Sequence, residues 1–413
     1  MTNRFAIDNS SILYLALIRK DHTNIFRFTL TMSEAIQPNL LQQAVNRVHH
    51  RLPSIYAGFR PGFFHYTQVQ SDLPPQVKPD PGCLITMTRE EIARCAYRVY
   101  YHDNDIIIEG FHALSDGYGI AASFCTLAAE YLKLRYGMEI PAGYPVLDCS
   151  VELSPEEAED SYLKYADAKP LHMPSRYSYQ LPGKEASHDH ISRHQLVYPV
   201  ETLLKAARSR GVSITALLSA VMAASVMEVQ KRCSSRKMRP VRIMVPIDLR
   251  RTFPSKTLRN FILYALPTME PEEETLPLEQ LAQKFSRQIK EHLQKDNLAG
   301  IIAYNVKTQS SPFWKILPSG LKCGLMQLAY RFFGESNSSI TFTNLGNFTV
   351  PQEMLPYLKN ISMTMTPRAR SPYNCGMFSY NGNFILSLCR FPRESILEQI
   401  FTEKLDALLK GEV

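Results

Sequence analysis

The N-terminal part of the chain combines short apolar runs with one amphipathic pattern. The runs at 11–16 and 25–30 mix apolar and polar residues as half-buried strands do, and both predict β-strands. Pro38 then opens a pattern with a helical period, and proline suits a first helical turn. Its apolar positions fall on one face, at Leu41, Ala44, Val45 and Val48. We expect strand, strand and helix in that order, with the helix ending before Pro53.

Two β-rich runs at 95–101 and 106–111 are separated by a short polar turn, which predicts a hairpin. The second run leads directly into His112. After Gly117 the pattern becomes a mostly apolar helix. The segment from His112 to Gly117 is therefore expected on a loop between a strand and a helix, where catalytic groups are commonly presented.

Periodicity is lost between about 137 and 192. Six prolines fall in this stretch together with Asp, Glu, Ser and Gly. Such a composition is typical of connecting segments. We expect a crossover here between an N-terminal unit, 1–175, and a C-terminal unit, 176–413.

The remaining chain alternates strand and helix patterns. Strands are predicted at 194–198, 241–247, 339–344 and on both sides of Asn381-Gly382, a strong hairpin signal. Helices are predicted at 201–209, 213–230 and 278–293, and a closing helix after Ser395, a residue suited to capping. A chain of 413 residues exceeds the ~250–300 residues at which one core stops growing, so two units are expected.

The composition is that of an ordinary folded protein, with 45% hydrophobic and 21% charged residues. No apolar run approaches the ~18 residues that cross a bilayer, and no apolar stretch follows Arg4 as in a signal peptide. The eight cysteines are scattered without a CxxC spacing, which favours reduced thiols. We therefore expect a cytoplasmic protein without a membrane span.

His112 and Asp116 are the first candidates for chemistry. A histidine can take a proton near neutral pH because its unperturbed pKa is about 6.5. A carboxylate four residues later can close the loop by bonding to backbone or to an arginine, and Gly117 permits a sharp turn into the next helix. A simpler interpretation also stands, in which a core histidine lies beside an aspartate that caps the helix.

Further segments place this motif in a wider pattern that runs from residue 50 to residue 346. They are, in chain order, His50-Arg51-Leu52-Pro53-Ser54-Ile55 with Phe59-Arg60, then Phe111-His112-Ala113-Leu114-Ser115-Asp116-Gly117, then Val245-Pro246-Ile247-Asp248-Leu249-Arg250 with Arg259-Asn260-Phe261, and Thr343-Asn344-Leu345-Gly346. In this order the segments resemble motifs of the chloramphenicol acetyltransferase and condensation-domain superfamily, whose signature is His-His-x-x-x-Asp-Gly.

The resemblance implies an α/β fold with two similar subdomains, each a mixed sheet with helices, enclosing a central tunnel. It also implies that His112 is the catalytic base. Asp116, followed by Gly117, would hold the loop through an arginine, and Arg250 is the best candidate because it ends the matching strand. Charge-assisted pairing of this kind fixes a loop well enough to aim an imidazole.

Other site residues follow from the same resemblance. Thr341, Thr343 and Asn344 are candidates to stabilise an oxyanion or bind substrate, although threonine also suits strands and asparagine suits turns. Phe111 replaces the first histidine of the doubled pair, and Asn260 belongs to the supporting strand-and-loop motif. The Asp-Phe-Gly-Trp-Gly motif of plant members is missing, which favours the bacterial alcohol acetyltransferase-like branch.

The implied reaction moves an acyl group from acyl-CoA or an acyl carrier protein to an alcohol or amine, with no bound cofactor. Two alternatives stay open, namely a non-catalytic binding or docking protein and a thioester or ester hydrolase that uses the same base. A mild net charge of +7 and the lack of nucleic-acid motifs argue against a nucleic-acid partner. A monomer or a weak oligomer is compatible with the sequence.

Two charged clusters carry weaker signals. The first is a cluster of basic residues that we interpret as a solvated loop, namely Lys231, Arg232, Arg236, Lys237, Arg239 and Arg242. The alternative is a site for coenzyme A phosphates or for an acidic carrier protein. His188-Asp189-His190 with His194 has a metal-like spacing, but it falls in the polar crossover without a Cys or Glu partner. We therefore expect no metal.

Overall fold

The computed structural model describes residues 3–19, 22–183, 191–233, 237–368 and 371–411, without the side chain of Phe333. Its α-helices are α1 (Ser11–Ala16), α2 (Pro38–Arg51), α3 (Arg89–Arg94), α4 (Gly117–Tyr136), α5 (Pro155–Ala158), α6 (Ser161–Lys164), α7 (Val200–Arg208), α8 (Ile214–Cys233), α9 (Leu278–His292), α10 (Lys295–Gln309), α11 (Pro312–Ile316), α12 (Ser319–Ala329) and α13 (Ile396–Lys410). Its strands are β1 (Arg4–Ala6), β2 (Ile25–Met32), β3 (Ala57–Pro61), β4 (Tyr66–Gln70), β5 (Lys78–Pro79), β6 (Tyr97–His102), β7 (Asp105–Phe111), β8 (Ser192–Pro199), β9 (Val241–Asp248), β10 (Ile262–Ala265), β11 (Thr268–Met269), β12 (Ile340–Asn347), β13 (Leu358–Met365), β14 (Tyr373–Tyr380) and β15 (Asn383–Arg390).

The strands of the described residues form three sheets. A five-stranded sheet has the order β13-β2-β7-β6-β5, and a larger sheet has the order β10-β9-β12-β14-β15-β8 with β11 paired to β9. A small sheet has the order β1-β4-β3. Because β12 is parallel to both β9 and β14 while β14 and β15 are antiparallel, the larger sheet is mixed. This mixed α/β architecture is the predicted fold class.

Helices α2 and α4 cover the five-stranded sheet and form the first core. The apolar face of α2 is fully buried at Leu41, Ala44, Val45 and Val48, as its period predicts. Burial of such a side chain contributes roughly 1.5–3 kcal/mol. The same core holds the end of β7 and the start of α4, so it anchors both sides of the loop that carries His112.

Helix α8 is the centre of the second core, between the larger sheet and helices α7, α9 and α13. By length and composition alone it could span a membrane, and 72% of its apolar window is buried inside the protein. The expectation that no apolar run reaches this length is therefore wrong for α8. Its burial explains the composition, because a helix that is apolar all round belongs in a core.

A strand from late in the chain completes the five-stranded sheet. Strand β13 pairs antiparallel with β2, from Leu358 opposite Met32 to Met365 opposite Phe26. The five-stranded sheet is therefore completed by residues distant in sequence. The division into units 1–175 and 176–413 stays a prediction. The five-stranded sheet contains β13, whose residues lie beyond that boundary in the sequence.

The predictions for elements with a clear period are confirmed, and the prediction for one short element is wrong. The predicted strand at 11–16 is helix α1, with Ser11, Ile12, Leu15 and Ala16 buried on one face. A run of six residues is too short to separate a period of two from a period of 3.6. Ser395 precedes α13 as predicted, but its side chain makes no capping hydrogen bond.

Candidate active site

His112 follows directly on the last residue of β7, and α4 begins five residues later. Its backbone N–H donates to the Asn24 carbonyl oxygen at 2.9 Å. Its ring stacks on Tyr14 with 4.4 Å between ring centroids, and the Phe26 ring meets it edge-on at 5.8 Å. The imidazole is thus held between two aromatic rings, and its orientation is fixed by packing on two sides.

The protonation state of His112 follows from its burial. Removal from water lowers the pKa of His112 below its ordinary value, and this outweighs the opposing attraction of its own backbone carbonyl and of Asp116. Nδ1 is buried and has no hydrogen-bond partner of good geometry among the described residues. The ring is therefore neutral at neutral pH, which is the form that accepts a proton.

Asp116 closes the loop from the other end. Its Oδ1 accepts from the backbone N–H groups of Tyr118 and Gly119, which makes it the N-cap of α4. Its Oδ2 accepts from Arg250 Nη1 and from the Phe261 N–H, both at 2.8 Å. With its carboxylate nearly fully buried, Asp116 is committed to holding structure and has no free oxygen for proton transfer.

Arg250 joins the loop to the second half of the chain. It is almost fully buried, and its guanidinium also bonds to Asp248 Oδ1 at 2.9 Å and to the carbonyl oxygens of Thr257 and Arg259. Burial lowers the pKa of Arg250, but the adjacent carboxylates of Asp116 and Asp248 raise it more strongly, so it stays charged. The predicted pairing of Asp116 with Arg250 is present in the structure.

The segment 257–261 makes further direct bonds to the loop. Asn260 Nδ2 donates to the carbonyl oxygens of His112 at 3.1 Å and Ala113 at 3.2 Å. The Ser115 hydroxyl donates to the Leu258 carbonyl oxygen. These bonds satisfy backbone groups that the irregular loop leaves free, and they connect its position to the second half of the chain.

Replacing Asn260 with alanine is expected to destabilise the protein by about 1–3 kcal/mol, because the His112 carbonyl oxygen loses its donor. The Ala113 carbonyl oxygen keeps a second donor, the Ser11 hydroxyl. Urea unfolding monitored by circular dichroism measures this difference. Replacing the exposed Asn381 of the β14–β15 turn with glycine provides the control, since its φ of 46° suits glycine. Equal losses in both variants would contradict a specific role for Asn260.

Gly119 is required for close packing against backbone, and a side chain at Gly117 would displace the end of the Leu345 side chain. A Cβ on Gly119 would lie 2.0 Å from the Leu258 carbonyl oxygen, and a Cβ on Gly117 would lie 2.4 Å from Leu345 Cδ2. The expectation that Gly117 serves a sharp turn is wrong, since its φ is not positive. Both glycines instead allow the start of α4 to approach segments of the second half.

Phe111 belongs to the core. Its side chain is fully buried and meets Phe59 edge-on, with 6.1 Å between ring centroids. The position of the first histidine in the resembled motif is therefore a packing position in this chain.

The three oxyanion candidates lie on β12 and differ in their free hydrogen-bonding groups. Asn344 donates to Thr215 Oγ1 and accepts from the Gly346 N–H, so both ends of its amide are engaged. Thr341 accepts from Arg368 Nη2 at 3.2 Å. For the Thr343 hydroxyl, the described part of the chain provides no hydrogen-bond partner. Of the three, Thr343 has the hydroxyl that is free to donate.

Three residues near the site, Tyr14, Tyr330 and Arg368, were not predicted from the sequence. Tyr14 stacks on His112, and burial raises the pKa of Tyr14, so its phenol stays protonated. Arg368 hydrogen-bonds to Tyr330 and to Thr341. Each reaches the site from a segment far away in sequence, and no local motif marks any of them.

The two charged clusters singled out in the sequence are only partly within the described residues. In the basic cluster, Lys231 and Arg232 pair with carboxylates and Arg242 is buried, while Arg236 lies outside the described residues. His188, Asp189 and His190 also lie outside them. Within the described ranges, no group of three His, Cys, Asp or Glu side chains could hold a metal ion.

The tunnel implied by the resemblance stays a prediction. Two surface depressions in the described chain are lined by residues of α8, α9 and α13 and by residues of 141–145 and 349–353. His112 lines neither of them.

Comparison with solved structures defines the class of fold to which this architecture belongs. The chain has the two-lobed fold shared by condensation domains and acyltransferases of the chloramphenicol acetyltransferase type. No family model matches the sequence. No curated protein matches it either.

Three of the similar structures cover almost the whole chain. Polyketide synthase associated protein 5 from Mycobacterium tuberculosis has a TM-score of 0.61 and 13% identity, with 98% of each chain covered. The trichothecene 15-O-acetyltransferase from Fusarium sporotrichioides has a TM-score of 0.63 and 10% identity, with 99% of this chain and 95% of that one covered. The wax ester synthase/diacylglycerol acyltransferase from Marinobacter aquaeolei VT8 has a TM-score of 0.57 and 11% identity, with 99% of this chain and 100% of that one covered. At such identities the likeness shows a shared fold.

Proposed function

We propose that the protein is an acyltransferase that moves an acyl group from an acyl thioester to an alcohol or amine, with His112 as the general base. The observation that carries the proposal is the position of His112, a neutral histidine that stacks on Tyr14 and meets Phe26 edge-on, on a loop held by a buried ion pair. The fold supports it, because two neighbours are named as acyltransferases for ester products.

In the proposed reaction, neutral His112 removes the proton from the acceptor hydroxyl or amine as the acceptor attacks the thioester carbonyl. The C–S bond then breaks, and the thiolate leaves with the proton that the imidazolium returns. The oxyanion formed between these steps needs a donor, and removing one such donor costs ~2.7–4 kcal/mol in enzymes generally. We assign this role to Thr343, whose hydroxyl is the free donor among the three candidates.

The donor is an acyl-CoA or an acyl carrier protein, each used as a co-substrate. Some structural neighbours are domains of nonribosomal peptide synthetases and one is a polyketide synthase condensation domain, which keeps a carrier protein among the candidate donors. No bound cofactor is required, because the base and the ion pair come from the chain itself. A cytoplasmic location and a role in natural product biosynthesis belong to the same proposal.

The pH dependence of kcat/KM is expected to follow the neutral form of His112. Because burial lowers the pKa of His112, the neutral form should persist as the pH falls from 8 through its ordinary value of about 6.5. We therefore expect kcat/KM to be constant over that range and to fall only below it. Steady-state rates measured across constant-ionic-strength buffers test this, and a fall centred above pH 6.5 would contradict a neutral, desolvated base.

Thiol release from acyl-CoA substrates of increasing chain length tests the proposed function. The purified protein is given each donor with and without a mixed pool of alcohols and amines, and then the same acyl groups on an acyl carrier protein. Acceptor-dependent release supports an acyltransferase. Release that ignores the acceptor favours a hydrolase, and no release with either kind of donor from a folded protein favours a non-catalytic binding protein.

A further inference from the structure

A cluster of large apolar side chains is exposed on one side of the molecule. Its members come from the β3–β4 turn, from α11, and from α12 with the helical turn that follows. Each is 51–72% exposed, and we call the set the apolar face: Phe63, Phe313, Ile316, Leu321, Leu328 and Phe332. Single exposed apolar residues need no explanation, but a contiguous group marks an interaction surface.

Hydrogen bonds join the segments of the apolar face into one surface. The Ser319 N–H donates to the Phe63 carbonyl oxygen, and its hydroxyl donates to that of Gly62, both at 2.7 Å. Lys322 is buried and donates through Nζ to the Phe64 carbonyl oxygen at 2.7 Å. The β3–β4 turn is therefore fastened to the start of α12, and the outward stripe of α12 continues onto that turn.

The segment that carries most of the apolar face has an excess of positive charge. From 297 to 334 the sequence holds four cationic residues, Lys307, Lys315, Lys322 and Arg331, and no Asp or Glu. The charges of Lys322 and Lys315, after burial, lower the pKa of His65, which places both cations beside the β3–β4 turn. Lys322 is buried, whereas Lys307, Lys315 and Arg331 are exposed. An apolar surface on a segment with an excess of cationic residues is complementary to an anionic lipid surface.

The other side of α12 borders the candidate active site. Gln327 Nε2 donates to the Ala16 carbonyl oxygen at 2.6 Å, at the end of the helix that carries Tyr14. Tyr330, one residue beyond α12, bonds to Arg368. Helix α12 and the turn after it therefore expose apolar side chains on one side. On the other side they hydrogen-bond to segments that also carry Tyr14 and Arg368, near His112.

We propose that the apolar face docks this protein on the surface of a bilayer that contains anionic phospholipids. A second copy of the chain fits less well, because a symmetric contact would bring the excess cationic residues of 297–334 together. Docking would place the region around His112 close to the bilayer. This binding goes beyond the proposed function and is tested without any measurement of activity.

Co-sedimentation with lipid vesicles measures this binding directly. With vesicles of phosphatidylcholine and phosphatidylglycerol, we expect the protein to co-sediment. With phosphatidylcholine alone, or at high salt, binding should be weaker. The variant Leu321→Asp/Leu328→Asp should bind at least about tenfold more weakly.

The matched control is Leu73→Asp/Leu163→Asp, which makes the same charge change at two leucines that are 77% and 60% exposed elsewhere. It should bind as the unaltered protein does, and both variants should keep its thermal unfolding midpoint. Equal loss of binding in both variants would overturn the proposal, as would absence of binding to the anionic vesicles. A dimer in solution that only Leu321→Asp/Leu328→Asp dissociates, with no vesicle binding, would assign the apolar face to a second copy instead.

Discussion

Replacing Asp116 with alanine is expected to destabilise the protein by about 3–5 kcal/mol, the cost of breaking a buried ion pair from one side. Arg250 would lose its buried partner, and the Phe261 N–H would lose its acceptor. The cap of α4 would be lost at the same time. Urea unfolding at neutral pH measures the change in the free energy of unfolding.

Asp248→Ala is the matched control, because Asp248 also accepts from Arg250 Nη1 at 2.9 Å but its side chain is 34% exposed. Water can replace the contacts of Asp248, so we expect its replacement to lower the free energy of unfolding by only about 0.5–1.5 kcal/mol. The Asp116 variant should also lower kcat by about 10²-fold, since small displacements of a catalytic group are costly. Equal destabilisation by the two substitutions would show that Asp116 does not hold the loop in the way proposed.

Replacing His112 with alanine is expected to lower kcat about 10²–10⁴-fold, the usual contribution of a general base. KM for the donor should change little, because the base acts on the acceptor proton and not on thioester binding. Steady-state kinetics of thiol release, with the best donor and acceptor, measure both constants. The thermal midpoint should be nearly unchanged, apart from the loss of two ring contacts.

His102→Ala is the control for the loss of a histidine, because His102 lies on an exposed hairpin turn with its side chain 66% exposed. Its kcat should equal that of the unaltered protein. If His112→Ala retained kcat within about threefold, the role of His112 as a general base would be excluded.

The sequence predicted the elements whose period extends over several turns or over a complete hairpin. Helix α2 has four buried apolar residues on one face, and β6 and β7 pair antiparallel on either side of a polar turn. Helix α1 was predicted wrongly because six residues do not define a period. Helix α12 was not predicted, because it exposes its apolar residues and so lacks a buried apolar face. Helix α10 was missed although it buries Leu298, Ile301 and Val306.

For the candidate site, local motifs identified His112, Asp116 and Arg250, and the structure places Asp116 against Arg250. The ring stacked on His112 could not be predicted, because Tyr14 lies almost a hundred residues earlier and carries no motif. Arg368 is equally unmarked in sequence. Contacts of this kind join segments that are distant in sequence, and only the three-dimensional structure shows them.

Transfer of an isotopically labelled acyl group tests the central claim most directly. The labelled thioester is incubated with an acceptor and the protein, and the label is quantified in the acceptor product and in the free acid. We predict label in the acceptor product for the unaltered protein and for His102→Ala, with almost none for His112→Ala. Label found only in the free acid, or equal labelling of the acceptor by His112→Ala, would contradict an acyltransferase that uses His112 as its base.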